Sequence, residues 1–367
     1  MRICFVPTFQ LPWCATSWRR ALEFGKAVSK YNQVTFLCPE VAVPKLKAMT
    51  KDVDTGIVPV KMTSDGYLSK GLARALALGK YDIVHTFKPM PDIFPAGFAA
   101  KFKGCKWIAD LDDLEGSQGF NRNSPLWKRK LMDFFEWLVP ASADAVTVAS
   151  QELLQFYKKF DPFYIPNGAD PAIFQPLERH NNKPTVLFMG FFHPDIIDAD
   201  MVIRAAGVVS KKHEMQLLMV GDGDDRAKAE ELAKELNIDV SFTGHIKNVP
   251  SVIGSADIGV ISFRDNMLNR CKCPLRLYEY MSCGLPIVST RVGEPAYVLK
   301  DGAGLLVDPD VESLAQGLLA LIENRDLANK MGRRGHELVL KEYNWETLGD
   351  KLLIFYEEIM KSQNKSY

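Results

Sequence analysis

The sequence predicts an α/β chain built as two parallel-sheet units in tandem, and three observations carry that prediction. Short apolar runs alternate with helical stretches along nearly the whole length, the order that gives right-handed crossovers and parallel strands. The alternation occurs twice, with a polar, proline-bearing stretch over 176–184 between the two series. The chain's 367 residues also exceed what one hydrophobic core usually serves.

In the first series the runs 3–6, 34–38, 57–60, 82–85, 107–109 and 145–148 read as strands. The second series has 185–189, 216–220, 240–242, 258–261, 286–289 and 305–307. Each series is Rossmann-like. The expected division is 1–177 and 178–345, with the two units facing each other across a cleft. Among the helices, 224–236 sets Ala229, Leu232, Ala233 and Leu236 on one face. A second helix follows Asp310, a residue type favoured at N-caps, with Val311, Leu314, Ala315, Leu318 and Ile322 in register. The last, 345–360, carries Leu348, Leu352, Phe355, Tyr356 and Ile359 along a stripe that needs a partner.

Composition narrows the function. Lysines plus arginines number 45 and aspartates plus glutamates 45, so no basic excess draws the chain to nucleic acid and any anion must be met by local charge. The opening MRICFVPTF has one basic residue and too short an apolar run for an export signal. No later segment reaches about 18 uncharged apolar residues, so a cytoplasmic protein is expected. Seven scattered cysteines without a CxxC pair argue for reduced thiols. Cys271 and Cys273 are close, but no matching pair follows, which disfavours zinc there.

The usual phosphate cradles are absent. After the first strand the chain runs Pro7 to Trp13 without a glycine. After the 216–220 run stand Gly221 and Gly223 without the third glycine of a dinucleotide fingerprint, and with acidic residues where a pyrophosphate would lie. Gly221 and Gly223 fit a tight strand-to-helix turn as well as a ligand contact. There is no GxxxxGK[ST] loop and no GxSxG elbow.

The stretch 269–290 is more informative. It reads as a loop, a helix over 274–282, a stop at Gly284 and a buried strand. Glu279 lies in mid-helix between Tyr278 and Tyr280, and an ionised carboxylate there can accept both hydroxyls of a ribose. Arg276 one turn earlier, with Arg270 and Lys272 in the loop, places positive charge beside the helix start, which suits a nucleoside diphosphate. Spacing alone leaves the alternative equally open: a solvated Glu279 and surface basic residues.

At these residues the chain resembles the GT-B glycosyltransferases, specifically the retaining family 4 group, also called glycosyl transferases group 1. The similar segments are 277–290, Gly293-Glu-Pro, 301–307, 143–150, Ile165-Pro-Asn-Gly with Phe174, Val220-Gly-Asp-Gly223 and Phe242-Thr-Gly244. The resemblance implies a GT-B fold, a nucleotide-diphosphate sugar donor, a glycan or lipid-linked acceptor, retention of anomeric configuration and no metal or other cofactor. It implies that 346–367 crosses back onto the first unit, and that Gly190, Gly221 and Leu285 lie with Glu279 in the donor site.

The chain departs from the family's pattern in three places. Of the family's pair of glutamates eight residues apart, the second corresponds to Glu279 and the first is Cys271. The arginine and lysine that often follow the glycine of the first C-terminal strand are missing after Gly190, leaving Arg276, Lys272, Arg270 and Arg264, in that order, to steady the leaving phosphate. Thr16-Ser17 replaces the paired glycines of the first loop; a Ser17 cap could face a phosphate or simply cap the helix starting near Trp18.

The acids Asp110, Asp112 and Asp113 end the 107–109 strand, at the carboxyl edge where ligands of open α/β sheets bind. By resemblance Asp112 takes the place of a histidine that contacts the transferred sugar, and Asp113 that of the aspartate after it. Three close acids could also hold a divalent cation, or cap Leu114 onward. His85 and His193 lie on the same side, where a lone histidine is most often structural. The catalytic assignment is therefore Asp112, Arg276 and Lys272, the two cations offsetting charge that develops on the phosphate.

On the acceptor side, 125–139 reads as a basic and aromatic helix that suits either an anionic membrane on the inner face or packing on the sheet. Two rivals stand beside the transferase: a nucleotide-sugar epimerase or phosphorylase of the same architecture, and a catalytically weak nucleotide-sugar-binding module.

Overall fold

The computed structural model describes residues 1–8, 16–61, 66–178, 181–193 and 199–362. Cys14, most of the first loop, the 194–198 stretch after Gly190 and the extreme C-terminus of the expected last helix lie outside them. The contacts divide the chain into Met1–Pro166 with Trp345–Tyr367, and Asn167–Asn344.

In the first unit the strands are β1 (Arg2–Val6), β2 (Gln33–Pro39), β3 (Thr55–Val60), β4 (Ile83–Phe87), β5 (Lys106–Leu111), β6 (Ala145–Val148) and β7 (Phe163–Tyr164). They pair in the order β3-β2-β1-β4-β5-β6-β7, every pairing parallel. The central strand Ile3, Cys4, Phe5 and Val6 is wholly buried, as expected of a strand covered on both faces by crossover helices. Strand order reverses between β1 and β4, the point where open α/β sheets bind ligands at the strands' carboxyl ends.

The second unit repeats the plan with β8 (Thr185–Met189), β9 (Gln216–Val220), β10 (Val240–Gly244), β11 (Ile258–Ile261), β12 (Ile287–Thr290) and β13 (Leu305–Val307). The order is β10-β9-β8-β11-β12-β13, again parallel, with the reversal between β8 and β11. The helix Val311–Glu323 begins as its sequence indicates: Asp310 accepts the Ser313 N–H at 2.8 Å, and Leu314, Ala315, Leu318 and Leu321 are buried.

The final helix, Trp345–Ser362, lies in the first unit and accounts for the unpartnered stripe. Trp345 meets Phe24 edge-on at 5.3 Å, Phe355 stacks on Phe163 at 4.5 Å, and the Tyr356 hydroxyl lies 2.5 Å from His85 Nδ1. Leu348 and Leu352 are fully buried.

The division falls at Pro166, ahead of the boundary at 177 read from sequence. The intervening residues bond within the second unit. Asn167 donates its backbone N–H to Cys273 Sγ at 3.2 Å and its side-chain amide to the Cys273 carbonyl at 2.6 Å. Ala169 N–H bonds to the Tyr343 carbonyl, and Ser282 Oγ to that of Phe174. The described residues 176–178 and 181–182 of the polar stretch are exposed, as a surface connection requires.

Candidate functional site

In the second unit the residues expected to meet a nucleotide gather where β8 and β11 end. Past β11 the chain passes Phe263 and Arg264, forms the short helix Met267–Arg270, and enters the helix Leu275–Ser282 with Pro274 at its N-cap. The loop between the helices is fixed from below by the two Asn167 bonds to Cys273, which gives the Pro-Asn-Gly landmark a physical task. The Phe263 N–H donates to Thr290 Oγ1 at 2.9 Å, which ties the end of β11 to that of β12.

Arg276 stands in the first turn of this helix, half-buried, with its guanidinium 5.4 Å from the centre of the Phe263 ring. Its Nη2 is shielded from solvent and makes no hydrogen bond among the described residues. Burial lowers the Arg276 pKa, opposed by Tyr280 and Glu279. Glu279 is half-buried one turn further on, between the buried Tyr278 and Tyr280. Lys272 is half-buried in the loop. A cation and a carboxylate one turn apart on a helix that starts at a switch point are suited to a diphosphate and a ribose respectively.

Other expected residues fall differently. Arg270 is exposed and forks onto Asp265 at 2.6 and 2.8 Å, so an acid already shares its charge. Arg264 is exposed, and its carbonyl accepts from the Asn269 amide at 3.0 Å. Leu285 is 1% exposed and packs in the core after Gly284. Cys271 is buried, and Cys273 Sγ is engaged with Asn167 and Tyr278; among the described residues no cluster of metal-ligating side chains forms.

Gly190 and Gly221 are joined by geometry. Gly221 has φ 125°, and a Cβ on it would lie 1.9 Å from the Gly190 carbonyl oxygen. Its N–H reaches the Gly244 carbonyl at 3.0 Å, so the ends of β8, β9 and β10 cross at bare backbone. Close packing of three strand ends thus requires the glycine, whatever the ligand. The turn reading of Gly221 therefore has a structural basis independent of phosphate.

The acids of the first unit separate into two kinds. Asp110 is fully buried and structural: Arg20 forks onto it with two 2.9 Å bonds, and Thr147 Oγ1 donates to it at 2.7 Å. Asp112, just past β5, is 3% exposed, and neither carboxylate oxygen accepts a hydrogen bond among the described residues. No helix starts at Leu114, so the capping alternative does not apply to Asp112.

Sequence reasoning passed over Lys88, the residue that organises these acids. It follows β4 with φ 71°, a left-handed conformation uncommon for a non-glycine residue. Its Nζ lies 3.8 Å from Asp112, 3.7 Å from Asp113 and in an ion pair with Glu115, with the Phe120 ring 5.3 Å away. Burial would lower the Lys88 pKa, but Asp112, Glu115 and Asp113 raise it well above the ordinary value, so it is an ammonium. Burial raises the Asp112 carboxyl to about 7, with Lys88 opposing. The loop beyond is pinned by the helix Leu126–Ser142: Glu136 accepts from the Glu115 and Gly116 N–H groups at 2.8 and 3.2 Å, and Asp133 from Ser117 at 2.5 Å. No sequence motif marks Lys88; only the parallel pairing of β4 with β5 sets it beside Asp112.

Ser17 lies inside the helix Thr16–Ser29 rather than at its cap, so it is not the capping residue read from sequence. Its side chain is fully buried, and its hydroxyl makes no hydrogen bond among the described residues. His85 is structural, held between Tyr356 and Thr147 and stacked on Phe87, with burial lowering its pKa to about 4.

Comparison with known proteins agrees with this architecture. Over 98% of the chain the structure superposes on all but 1% of a sucrose-phosphate synthase from Thermosynechococcus elongatus, with a TM-score of 0.77 and 18% identity. Anabaena Alr3699/HepE in complex with UDP gives 0.77 over 98% of this chain and 100% of that one, at 13% identity. This is the GT-B fold. Within the GT-B chain, residues 183–324 match the family described as glycosyl transferases group 1. The lipopolysaccharide core biosynthesis glycosyltransferase LpsE of Rhizobium meliloti is 26% identical over 181 residues, 48% of this chain and 51% of that protein. The chain spans only part, about half, of the length of the curated relatives it matches first.

Proposed function

We propose that this GT-B chain is a glycosyltransferase that moves a sugar, with retention, from a nucleoside diphosphate to a glycan or lipid-linked acceptor. The observation that carries the reading is the pair on the helix Leu275–Ser282, Arg276 with its unbonded Nη2 in the first turn and Glu279 one turn later, at the β8/β11 switch point. Glu279 takes the ribose hydroxyls; Arg276 and Lys272 take the phosphates. The group 1 match over the same residues and the printed activities of relatives such as LpsE support this assignment.

Breaking the bond from the anomeric carbon to phosphate leaves negative charge on the diphosphate and a cation-like sugar, and fixed positive groups stabilise that change most. Under retention a phosphate oxygen takes the acceptor's proton on the face the leaving group vacates, and no protein nucleophile is needed. Asp112 accepts a hydrogen bond from a sugar hydroxyl. The reaction needs no divalent cation in this reading, because the Lys88 ammonium already stands among Asp112, Asp113 and Glu115.

A second surface belongs to the same proposal. The helix Leu126–Ser142 buries Met132, Glu136, Val139 and Pro140 and turns Leu126, Trp127 and Phe134 outward, at 63%, 66% and 57% exposure. With Lys128, Arg129 and Lys130 beside them, these residues suit the interface of an anionic membrane. No described helix is long and apolar enough to cross a membrane.

The test is incubation with radiolabelled nucleotide sugars in the presence of EDTA, with and without extracted glycan and lipid acceptors. The expected result is labelled product with release of the nucleoside diphosphate. Epimerised donor, or turnover that depends on inorganic phosphate, would contradict it.

A further inference from the structure

We propose that the helices Tyr67–Ala77 and Phe94–Phe102 of the first unit form the contact face of a two-fold dimer, in which a leucine ridge of one chain packs on the same ridge of a second copy.

The helix Tyr67–Ala77 is turned inside out. A helix on a protein surface ordinarily buries its apolar stripe and shows its charges. Here Leu68, Leu72 and Leu76, spaced four apart, are 70%, 50% and 85% exposed. At about 3.6 residues per turn, Lys70 and Arg74 fall on the opposite side. Arg74 is fully buried and donates to Asp92 and to the Pro7 carbonyl. Beside the ridge stand Ser69 and Ala75, so no charged residue of this helix interrupts it.

The neighbouring helix extends the same face. A Cβ on Gly71 would lie 2.6 Å from Pro95, so the two helices touch closely there. Ala73 and Ala77 pack in one cluster with Ala96, Ala99 and Ala100. Small residues thus fill the inner sides, and the large apolar ones are left outside. Phe98 is 46% exposed and Phe102 80%, with ring centres 4.9 Å apart.

These five side chains average about two-thirds exposure. At roughly 180 Å² each, they present roughly 600 Å² of apolar surface, as much as a single chain ordinarily leaves to water in one patch. Doubled by a copy, the area reaches roughly 1,200 Å², the lower end of stable protein interfaces. A row of residues four apart is also the ridge that most often interdigitates with its counterpart on another helix. In a two-fold contact each patch meets itself, so a ridge without charge meets no like charge. A bilayer, by contrast, calls for cations around the apolar centre. Here Lys101 donates to the Ser142 carbonyl at 2.8 Å and pairs with Asp144 at 3.4 Å, and Lys103 bonds to the Leu78 carbonyl. Both cations are drawn back onto their own chain.

The test is analytical ultracentrifugation of the full chain, without detergent, over about 1–200 μM. The parent should pass from one chain to two with a dissociation constant of about 1–50 μM. Leu72→Arg, at the centre of the ridge, sets like charges together and should weaken association at least about a hundredfold. Its melting curve should match the parent's, because Leu72 is half exposed. Leu72→Glu should behave alike, and an equal mixture of the two variants should dimerise again as opposite charges meet across the axis. Leu340→Arg, at an exposed leucine of the second unit, should dimerise as the parent does. A parent that stays monomeric throughout, a dimer unaffected by Leu72→Arg, or a mixture that stays monomeric overturns the inference. So does a monomeric parent that co-sediments with phosphatidylglycerol vesicles and loses this in Leu72→Arg, which would give the face to a membrane.

Discussion

Replacing Asp112 by asparagine should stabilise the first unit at alkaline pH and do little near pH 4. Burial raises this carboxyl from an ordinary 3.8 to about 7. A group whose folded pKa is raised contributes its stability below the unfolded value and loses it as pH rises through the folded one. The parent should therefore lose stability on this account between about pH 4 and pH 7, at up to about 1.4 kcal/mol per pH unit. Three such steps total about 4 kcal/mol, a figure that already includes the opposing Lys88 ammonium, so a difference of roughly 4 kcal/mol is expected. Other titrating groups, such as Glu136 raised to about 7 and His85 lowered to about 4, occur in both proteins and cancel in the comparison.

The assay is urea unfolding followed by tryptophan fluorescence. All six tryptophans lie in the first unit's segments, so the signal reads that unit alone. The free-energy difference between Asp112→Asn and the parent should grow from near zero at pH 4 to its full value by pH 8. A difference that is flat with pH, or that shrinks as pH rises, would refute the reasoning.

Four further outcomes follow from the packing and the exposed surface. Gly221→Val places a side chain against the Gly190 carbonyl in a left-handed conformation and should cost more than about 2 kcal/mol, read as a lower melting temperature by circular dichroism. Tyr356→Phe leaves buried His85 Nδ1 without its partner and should cost about 1–3 kcal/mol in the tryptophan-monitored transition. In the parent, the neutral buried His85 contributes stability above pH 6.5 that is lost as pH falls toward 4, and a His85→Gln protein should lack that acid limb. Trp127→Glu should abolish co-sedimentation with anionic vesicles while leaving the melting curve unchanged, because Trp127 is 66% exposed.

Where periodicity and termini are written in local chemistry, the sequence was legible. The strands β6, β8, β9, β11 and β13 have the bounds that their apolar runs give, and Asp310 caps the helix it precedes. The two-residue strand β7 was missed because Phe163 and Tyr164 are too short a run to show a period. The helix carrying Arg276 and Glu279 was readable because proline and glycine mark its ends. Lys88 was not, since its role comes from β4 lying beside β5 and from a backbone conformation that no residue type announces. Asp110 and Asp112 look alike in sequence, yet Arg20, distant in the chain, makes one structural and leaves the other without a donor. The Arg270–Asp265 pair joins two residues of one short segment, and no motif in the sequence announces it.

Calorimetric titration of UDP, GDP and ADP into the parent and into Glu279→Ala, with EDTA present, probes the ribose assignment most directly. One nucleotide should bind the parent, and loss of two charge-assisted hydrogen bonds should weaken it by at least about tenfold to a hundredfold. An equal affinity in Glu279→Ala would place the nucleotide elsewhere and contradict the account.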